Sequence, residues 1–247
     1  AEIVSVFKDQ PAYKAGLKTG DLIIAVNKKS TMNMELQEVV SEIKKKENKK
    51  VVLTIYRDKK SKDYTVKKSS VQLDTVSYKM KEKKIGYIAV SQFLENTGDQ
   101  FDKAVTALEK KGMKSLIIDL RDNGGGLLNT CTQMVSRVLD KDKLIVYTKD
   151  KEGNKEEFKS DSGKTLEIPI IILVNGNTAS ASEIMTGCLK DYGKATVVGT
   201  TTYGKGIVHN IMPLTDGSAI KFTIAKYYTP NGTDIHKKGI KPDVKVK

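Results

Sequence analysis

The sequence predicts an α/β fold built in two parts. From about Val71 onward, segments typical of strands alternate with segments typical of helices, which indicates a largely parallel sheet covered by helices. The run Ile-Ile-Ile-Leu-Val at 170–174 lacks polar alternation, as is typical of a strand buried on both faces. The first seventy residues carry their own strand and helix patterns, so we expect a small domain at 1–70 and a larger one at 71–247.

The first part is predicted element by element from its hydrophobic spacing. Lys- and Ser-rich residues 58–70 suit a linker or a hairpin. The predicted elements are a strand in EIVSVF (2–7), a short helix, a glycine turn and a strand in PAYKAGLKTGDLIIAVN (11–27), a helix at Glu35–Lys46 and a strand in KVVLTIYR (50–57).

The second part is predicted in the same way. AIKFTIAKYYT at 219–229 indicates antiparallel β structure near the end of the chain. The alternating elements are strands at Ile85–Val90, Ser115–Leu120, Leu144–Thr148, Pro169–Val174 and Ala195–Val198, and helices at Asp99–Lys111, Leu127–Leu139 and Ala181–Asp191.

The net charge of +13 comes almost entirely from lysine, because only three of the 43 basic residues are arginines. Aromatic residues make up 6% of the chain and tryptophan is absent, so the basic and aromatic pattern of nucleic-acid binders is missing. A solvated lysine surface is expected instead, and it would attract an anionic envelope or acidic substrates at long range. The longest apolar run, Ile168–Val174, is too short to span a membrane, and the chain does not open like a signal peptide.

The cysteines and histidines indicate neither a disulfide nor a metal site. Cys131 and Cys188 each lie among apolar residues of a predicted helix, which is typical of small buried side chains. The two histidines, His209 and His236, have no second metal ligand near them in sequence. We therefore expect no metal and no cofactor.

Two segments, SLIIDLRDNGGGL (115–127) and IIILVNGNTASASEI (170–184), share one design. Each runs from a buried strand into a turn of small residues and then into a helix, which leaves backbone N–H groups and a positive helix end exposed. Because ligands gather at the carboxyl ends of parallel strands, the two loops together could form an oxyanion site.

Ser180 has two interpretations. With Glu183 it forms the pattern of a capping box at the start of a helix, which is a common structural feature. It could also act as a nucleophile, and it would then need a base. Lys205, between Gly204 and Gly206, could be a desolvated amine, whereas His209 with Asp191 would give a Ser/His/Asp arrangement. The residues alone leave both bases open.

The stretch PAYKAGLKTGDLIIAVN resembles a PDZ domain, in which it forms the short helix, the turn with Gly16 and Gly20, and the strand after Asp21. PDZ domains of bacterial proteases begin about one strand earlier, with a glycine-containing loop that receives a peptide's terminal carboxylate. The resemblance therefore implies that residues 1–70 are a truncated PDZ domain, lacking that first strand and the carboxylate-binding loop.

Most of the chain resembles the tail-specific, or C-terminal processing, peptidases. The similarity is carried by PAYKAGLKTGD, GYIAVSQF, LIIDLRDNGGG, LVNGNTASASEI, TTYGKGIV and GIKPDVKV. These serine proteases join a PDZ domain to a crotonase-like (ClpP-like) α/β core with a Ser-Lys dyad. The resemblance implies Ser180 as nucleophile and Lys205 as general base, with the N–H groups of Ala181 and Gly125 as the oxyanion hole.

In one position the sequence departs from the family pattern. The family places a glutamine four residues after the catalytic lysine, where His209 stands here. A neutral imidazole can position the amine in the same way, whereas a protonated one would repel it. By the resemblance, Asp191 supports the structure and does not take part in the chemistry.

The leading hypothesis is a serine endopeptidase that cleaves unstructured or C-terminal tails of proteins through an acyl-enzyme. A non-catalytic peptide-binding module, or pseudoprotease, is the alternative, and an enzyme acting on acyl thioesters ranks third. The expected partners are protein or peptide substrates, with no nucleic acid. The resemblance also implies work outside the cytoplasm, and it is compatible with a homo-oligomer and with a membrane anchor preceding Ala1.

Overall fold

A computed structural model describes residues 1–7, 10–45, 49–69, 73–161, 165–214 and 217–246. The chain forms two compact units, Ala1–Leu73 and Asp74–Lys247. The domain boundary expected at 70/71 lies outside the described residues. No helix in the described ranges combines the length and the apolar composition that crossing a membrane requires.

The first unit is a four-stranded sheet with two helices. The strand order is β2-β1-β3-β4, and all neighbouring strands are antiparallel. The apolar core of this unit gathers side chains from the strands, from α2 and from the turn after α1. The elements are α1 (Pro11–Lys14), β1 (Leu22–Val26), β2 (Lys29–Ser30), α2 (Leu36–Lys44), β3 (Lys50–Arg57) and β4 (Lys60–Lys67).

The strand predicted at 2–7 is wrong except at its first residue. Glu2 forms an isolated antiparallel bridge with Leu22, and residues 3–7 form no ladder. Ile3 and Val6 pack against the core, and their spacing of three residues does not match the two-residue period of a strand. The segment 58–70, predicted as linker or hairpin, supplies β4, the hairpin partner of β3.

A buried ion pair holds the turn before β1. Asp21 is 1% exposed, and its two carboxylate oxygens accept hydrogen bonds from Nε and Nη2 of Arg57 at 2.5 and 2.6 Å. The N–H of Lys18 donates to the same carboxylate at 2.8 Å. The Arg57 guanidinium lowers the pKa of Asp21 below its ordinary value, although burial acts in the opposite direction.

The second unit contains two sheets and three longer helices. A six-stranded sheet has the order β14-β11-β10-β7-β6-β5, and only β5 runs antiparallel to its neighbour. A four-stranded antiparallel sheet has the order β12-β13-β8-β9. The elements are β5 (Val76–Lys81), β6 (Ile85–Val90), α3 (Thr97–Lys110), β7 (Ser115–Asp119), α4 (Leu128–Ser136), β8 (Leu144–Asp150), β9 (Lys155–Lys159), β10 (Ile170–Val174), α5 (Ala181–Asp191), β11 (Ala195–Gly199), β12 (Ile207–Pro213), β13 (Ala219–Tyr228) and β14 (Val244–Lys245).

One predicted strand belongs to a different sheet. Leu144–Thr148 was expected in the parallel sheet, but β8 pairs antiparallel with β9 and β13. The reason is that β8 continues into a hairpin at 151–154, and a hairpin joins antiparallel neighbours, whereas a parallel pair needs a longer crossover.

The interior of the second unit is one apolar core that includes both cysteines. Cys131 and Cys188 are free and buried, which confirms that they are small apolar side chains of the core. Burial raises the pKa of Cys131 to about 12 and raises that of Cys188 further. Neither thiol is therefore a nucleophile near neutral pH.

Candidate active site

The two small-residue loops lie side by side because β7 and β10 are parallel neighbours. In the loop after β7, the carboxylate of Asp122 accepts hydrogen bonds from the side-chain amides of Asn175 and Asn177 at 2.9 and 2.8 Å. The N–H of Asp122 donates to Oδ1 of Asn175 at 3.0 Å. Those amides hold the pKa of Asp122 below its ordinary value, Asn177 more strongly than Asn175. This cluster ties the mouths of both loops together.

Deeper in the site, backbone oxygens of the first loop receive donors from the second. Thr178 Oγ1 donates to the carbonyl of Leu120 at 2.8 Å. The carbonyl of Asn123 accepts from the N–H of Ala179 and from Ser182 Oγ, both at 3.0 Å. Asn123 and Thr178 are fully buried, so these bonds are shielded from water. Buried hydrogen bonds therefore hold the two loops against each other.

Ser180 is at the mouth of α5 in a strained backbone conformation. Its φ of 58° and ψ of −118° lie outside the regions that a residue with a side chain normally adopts. Such strain costs about 1–3 kcal/mol and is concentrated at functional sites. The capping box predicted with Glu183 is present. Ser180 is half-buried, and the next residue, Ala181, is the first of the helix.

Gly125 is packed against the backbone of the loop that carries Ser180. A Cβ at this position would lie 2.6 Å from the carbonyl oxygen of Ala179 and 2.8 Å from the nitrogen of Ala181, so only glycine fits. The N–H of Gly125 donates to Oδ1 of Asn123 at 2.9 Å. The N–H of Ala181 has no acceptor in the described ranges. The structure thus brings the two predicted oxyanion donors together, with that of Ala181 open.

The loop that carries Lys205 packs against the loop that carries Ser180. The N–H of Tyr203 donates to the carbonyl of Thr178 at 2.9 Å. Gly206 is required because a Cβ there would lie 2.5 Å from the nitrogen of His236. Lys205 is half-buried, and its amine has no hydrogen-bond or ion-pair partner in the described part of the chain. The glycines beside Lys205 thus allow close packing of the backbone as well as a bend in the chain.

Glu183 connects the serine to the lysine, and the sequence identified it only as half of a capping box. Its side chain is completely buried. Oε2 accepts the N–H of Ser180 at 2.9 Å and the N–H of Lys205 at 2.8 Å, so the two backbone nitrogens are separated by no more than the sum of those distances. Oε1 accepts from Thr202 Oγ1 and from the N–H of Gly204, both at 2.6 Å.

The structure gives His209 and Asp191 other contacts than the Ser/His/Asp arrangement requires. His209 lies in β12, and its Nδ1 is 3.3 Å from Thr223 Oγ1. Asp191 ends α5, and its carboxylate accepts the N–H of Asn231 at 2.8 Å. The eleven residues of α5 separate Asp191 from Ser180 by roughly 16 Å at 1.5 Å per residue. Asp191 therefore does not orient a base beside Ser180.

A second polar cluster lies at the same sheet edge and was not predicted. Asp119, at the end of β7, accepts the hydroxyl of Tyr87 at 2.6 Å and Nε and Nη2 of Arg121 at 2.9 and 2.6 Å. Burial favours the neutral acid, but the hydrogen bonds from Arg121 and Tyr87 outweigh it and lower the pKa of Asp119. The signal for this cluster in the sequence is Asp119-Leu120-Arg121, where β7 passes into the first loop, and it was interpreted only as part of the strand and the turn.

Comparison with known families shows the family of the chain. The model for "Peptidase family S41" matches residues 84–246, and a PDZ domain model matches residues 2–57. The chain belongs to peptidase family S41. The predicted family is therefore confirmed, as are the α/β class and the N-terminal PDZ domain, whereas the crotonase-like assignment of the core stays a prediction.

Relatives of this S41 chain are serine proteases by name. A probable CtpA-like serine protease of Staphylococcus aureus (strain N315) is 41% identical over 246 residues, which are 99% of this chain and 49% of the relative. The carboxy-terminal processing protease CtpA of Bacillus subtilis (strain 168) is 41% identical over 244 residues, 98% of this chain and 52% of the relative. The chain spans about half the length of these relatives. Their class, serine-type peptidase, is the one predicted from the sequence.

Solved structures give the same family. The photosystem II D1 C-terminal processing protease aligns with a TM-score of 0.66 and 28% identity, covering 100% of this S41 chain and 68% of that protein. A putative S41 protease from Bacteroides fragilis aligns with a TM-score of 0.63 at 19% identity, covering 98% and 69%, and supports the fold alone.

Proposed function

We propose that this S41 chain provides the catalytic machinery of a serine endopeptidase, with Ser180 as nucleophile and Lys205 as general base. The observation that carries the proposal is the shared acceptor, Glu183 Oε2, which binds the N–H groups of both residues inside the protein. A buried carboxylate with fixed donors holds two loops in one geometry, and fixed geometry is what a proton transfer between their side chains requires.

The proposed chemistry begins with the uncharged amine of Lys205. It accepts the proton of the Ser180 hydroxyl while Oγ attacks the carbonyl carbon of the substrate. The resulting ammonium then gives its proton to the departing amine, which leaves an acyl-enzyme on Ser180. Water, deprotonated by the same amine, hydrolyses the ester and restores the serine.

The negative oxygen of the intermediate would be held by backbone N–H groups. Ala181 offers an open N–H at the start of α5, where the helix dipole also favours negative charge. Gly125 is close enough to provide the second donor, but its N–H must leave Asn123 Oδ1 or divide its bond between the two acceptors. Removal of one such donor typically costs about 2.7–4 kcal/mol of transition-state stabilisation.

The proposed substrates are unstructured or C-terminal tails of proteins. A C-terminal processing protease is among the similar proteins, and PDZ domains bind peptides. To position the lysine amine, as the resemblance implies, His209 would have to turn toward it from Thr223. Asp191 keeps its supporting role through its hydrogen bond with the N–H of Asn231. We also infer that the reaction takes place outside the cytoplasm, which cell fractionation with an antibody to the chain would test.

The test is hydrolysis of an unfolded protein by the full chain and by its variants. Ser180→Ala and Lys205→Ala should each lower kcat/KM by at least about 1,000-fold, because the loss of one member of a catalytic unit costs nearly as much activity as the loss of all its members. Lys221→Ala, which removes an exposed lysine from β13, is the matched control and should cleave normally. Equal cleavage by all four proteins would refute the proposal.

One observation favours a second candidate, a peptide-binding module without catalysis. The N–H of Gly125 is engaged by Asn123, so this structure offers one oxyanion donor where acyl transfer is best served by two. A serine-reactive phosphonate distinguishes the two functions. Retained binding of peptide tails without labelling of Ser180 would support the module, whereas labelling that is lost in Ser180→Ala supports the peptidase.

A further inference from the structure

Thr202 provides the one side chain among the four donors to Glu183. Its hydroxyl donates to Glu183 Oε1 at 2.6 Å. The other three donors are backbone N–H groups, those of Ser180, Gly204 and Lys205. Thr202 is 5% exposed, so its hydrogen bond is shielded from water. It is therefore the donor that a conservative substitution can remove while the backbone stays intact.

The same hydroxyl is engaged on its other side by Ile240. The N–H of Ile240 donates to Thr202 Oγ1 at 2.7 Å. A backbone N–H can only donate, and a hydroxyl carries a single proton, so the proton of Thr202 is left for the carboxylate of Glu183. The direction of both hydrogen bonds is thus fixed, from Ile240 to Thr202 and from Thr202 to Glu183.

The segment that ends at Ile240 also packs against Thr202 through the backbone. The N–H of Thr202 donates to the carbonyl of Ile240 at 3.2 Å, and the N–H of Lys237 donates to the carbonyl of Gly204 at 2.8 Å. A Cβ at Gly239 would lie 2.3 Å from the carbonyl oxygen of Thr202, so this contact requires glycine. The segment therefore fixes the backbone of the loop to which Thr202 and Gly204 belong.

We propose that Thr202 is a positioning residue, whose hydroxyl sets the orientation of the Glu183 carboxylate and thereby the geometry between Ser180 and Lys205. The inference rests on the proposed function. A carboxylate that loses a donor at Oε1 can rotate about its side-chain bonds, and Oε2 then moves with it. Because Oε2 binds the N–H groups of Ser180 and Lys205, such a rotation disturbs both residues.

The experiment compares peptide hydrolysis by the full chain with serine, alanine or valine at position 202. Valine has nearly the shape of threonine but carries a methyl group in place of the hydroxyl, whereas serine keeps the hydroxyl and lacks the methyl group. Thr202→Val should lower kcat by about 100-fold, because small misplacements of reacting groups cost about that much. KM should change by less than about threefold, since the hydroxyl does not contact substrate. Thr202→Ser should recover most of the activity.

A role of Thr202 in packing alone predicts the opposite order. Valine would then be the best replacement, because serine and alanine leave a cavity in the core. Higher activity in Thr202→Val than in Thr202→Ser would overturn the proposal. If Thr202→Val does not fold, Thr202→Ser and Thr202→Ala still isolate the hydroxyl, since both lack the methyl group. Equal activity in these two variants would also overturn it.

Thr186→Val is the matched control. Thr186 is completely buried in α5, and its hydroxyl donates to the carbonyl of Ser182 at 2.7 Å, so this change removes a buried hydrogen bond that does not involve Glu183. Its Tm should fall about as far as that of Thr202→Val, because each variant leaves a buried polar group unpaired. Its kcat should stay within about threefold of wild type. A loss of kcat as large as that of Thr202→Val would contradict the proposal.

Labelling by a serine-reactive phosphonate separates this proposal from the proposed function. The expected result is labelling of Ser180 in wild type and much slower labelling in Thr202→Val. Equal rates in the two proteins would remove the positioning role and leave the peptidase intact. If the wild type is not labelled and cleaves no peptide, the proposed function fails, and the role of Thr202 fails with it.

Discussion

Asp21 in the first unit and Glu183 in the second are both buried carboxylates that accept several hydrogen bonds, but their donors differ in kind. Asp21 in the first unit is paired with the guanidinium of Arg57. Glu183 in the second unit has no cation within 4 Å in the described residues, and its four partners are three backbone N–H groups and one hydroxyl. Both carboxylates are almost completely inaccessible to water.

The difference indicates two uses of a buried acid. An ion pair such as Asp21 with Arg57 fixes one turn against one strand, and its loss is felt as lost stability. The donors to Glu183 include the N–H groups of Ser180 and Lys205, so its loss should disturb the geometry between these two residues.

Replacing Glu183 by glutamine should lower kcat/KM by about 100- to 1,000-fold. An amide nitrogen at either oxygen position would face two donors, because each oxygen now accepts two hydrogen bonds. The backbones of Ser180 and Lys205 would then move apart, and small misplacements cost about 100-fold. Peptide hydrolysis measures the effect, and circular dichroism shows whether the variant is folded.

The first unit contains a matched control for this change. Glu38 also closes a capping box, and its carboxylate accepts one hydrogen bond, from the N–H of Glu35 at 2.8 Å on the exposed surface. Glu38→Gln should leave hydrolysis unchanged within about twofold, because a single exposed cap contributes little beyond its own helix. A loss as large as that of Glu183→Gln would show that the effect does not depend on the site.

Replacing Asp21 by asparagine should lower the free energy of unfolding of the first unit by about 2–3 kcal/mol. This loss in free energy of unfolding is slightly smaller than the loss expected for a fully buried ion pair, because the Arg57 side chain remains 24% exposed. Urea unfolding followed by tyrosine fluorescence measures it. Asp63→Asn, which alters one exposed bond with Thr54, is the control and should have little effect.

The same ion pair predicts a pH dependence of stability. Since the folded state lowers the pKa of Asp21, its contribution is fully present above the unfolded value of about 3.9 and is lost as pH falls through the folded value. The wild type should therefore lose stability as the pH falls below about 4, and Asp21→Asn should lose less. Parallel curves for the two proteins would contradict the assignment.

The sequence predicted what is periodic or what resembles a family. The strand at 170–174, the helix behind Ser180 and the burial of the cysteines follow from apolar spacing, and the structure confirms them. The strand at 144–148 was assigned to the wrong sheet because apolar spacing reveals a strand but not its partners. Its partners depend on contacts far apart in sequence.

The residue types of the candidate site could be predicted from the sequence, but the hydrogen bonds that connect distant residues could not. Glu183 is visible as a capping glutamate, since its bond to Ser180 joins residues three apart. Its bonds to Thr202, Gly204 and Lys205 join residues about twenty apart, and no local pattern carries that information. The same limit applies to Asp122 with Asn175, which are 53 residues apart.

Asp122 should show a smaller version of the Glu183 effect. Like Glu183, its carboxylate accepts hydrogen bonds from neutral groups, here two side-chain amides, but Asp122 is exposed, so water can replace a lost hydrogen bond. Asp122→Ala should lower kcat/KM by about 10-fold through a looser pairing of the two loops. Asp122→Asn retains an acceptor oxygen and should stay within about threefold of wild type. Equal losses in both variants would show that the charge matters and not the acceptor.

The smallest expected effect is that of Asp21→Asn on cysteine modification, which should be none. This measurement tests whether the two units are independent. Both cysteines belong to the core of the second unit, and each unit has a core of its own. At pH 8 a thiol reagent should leave both cysteines unmodified in the wild type and in Asp21→Asn. In Glu183→Gln the rate of cysteine modification should rise, because Cys131 donates to the carbonyl of Ala181 beside the site. Rapid modification in Asp21→Asn would mean that the ion pair also holds the second unit closed, and the division between a stabilising acid and a positioning acid would then be wrong.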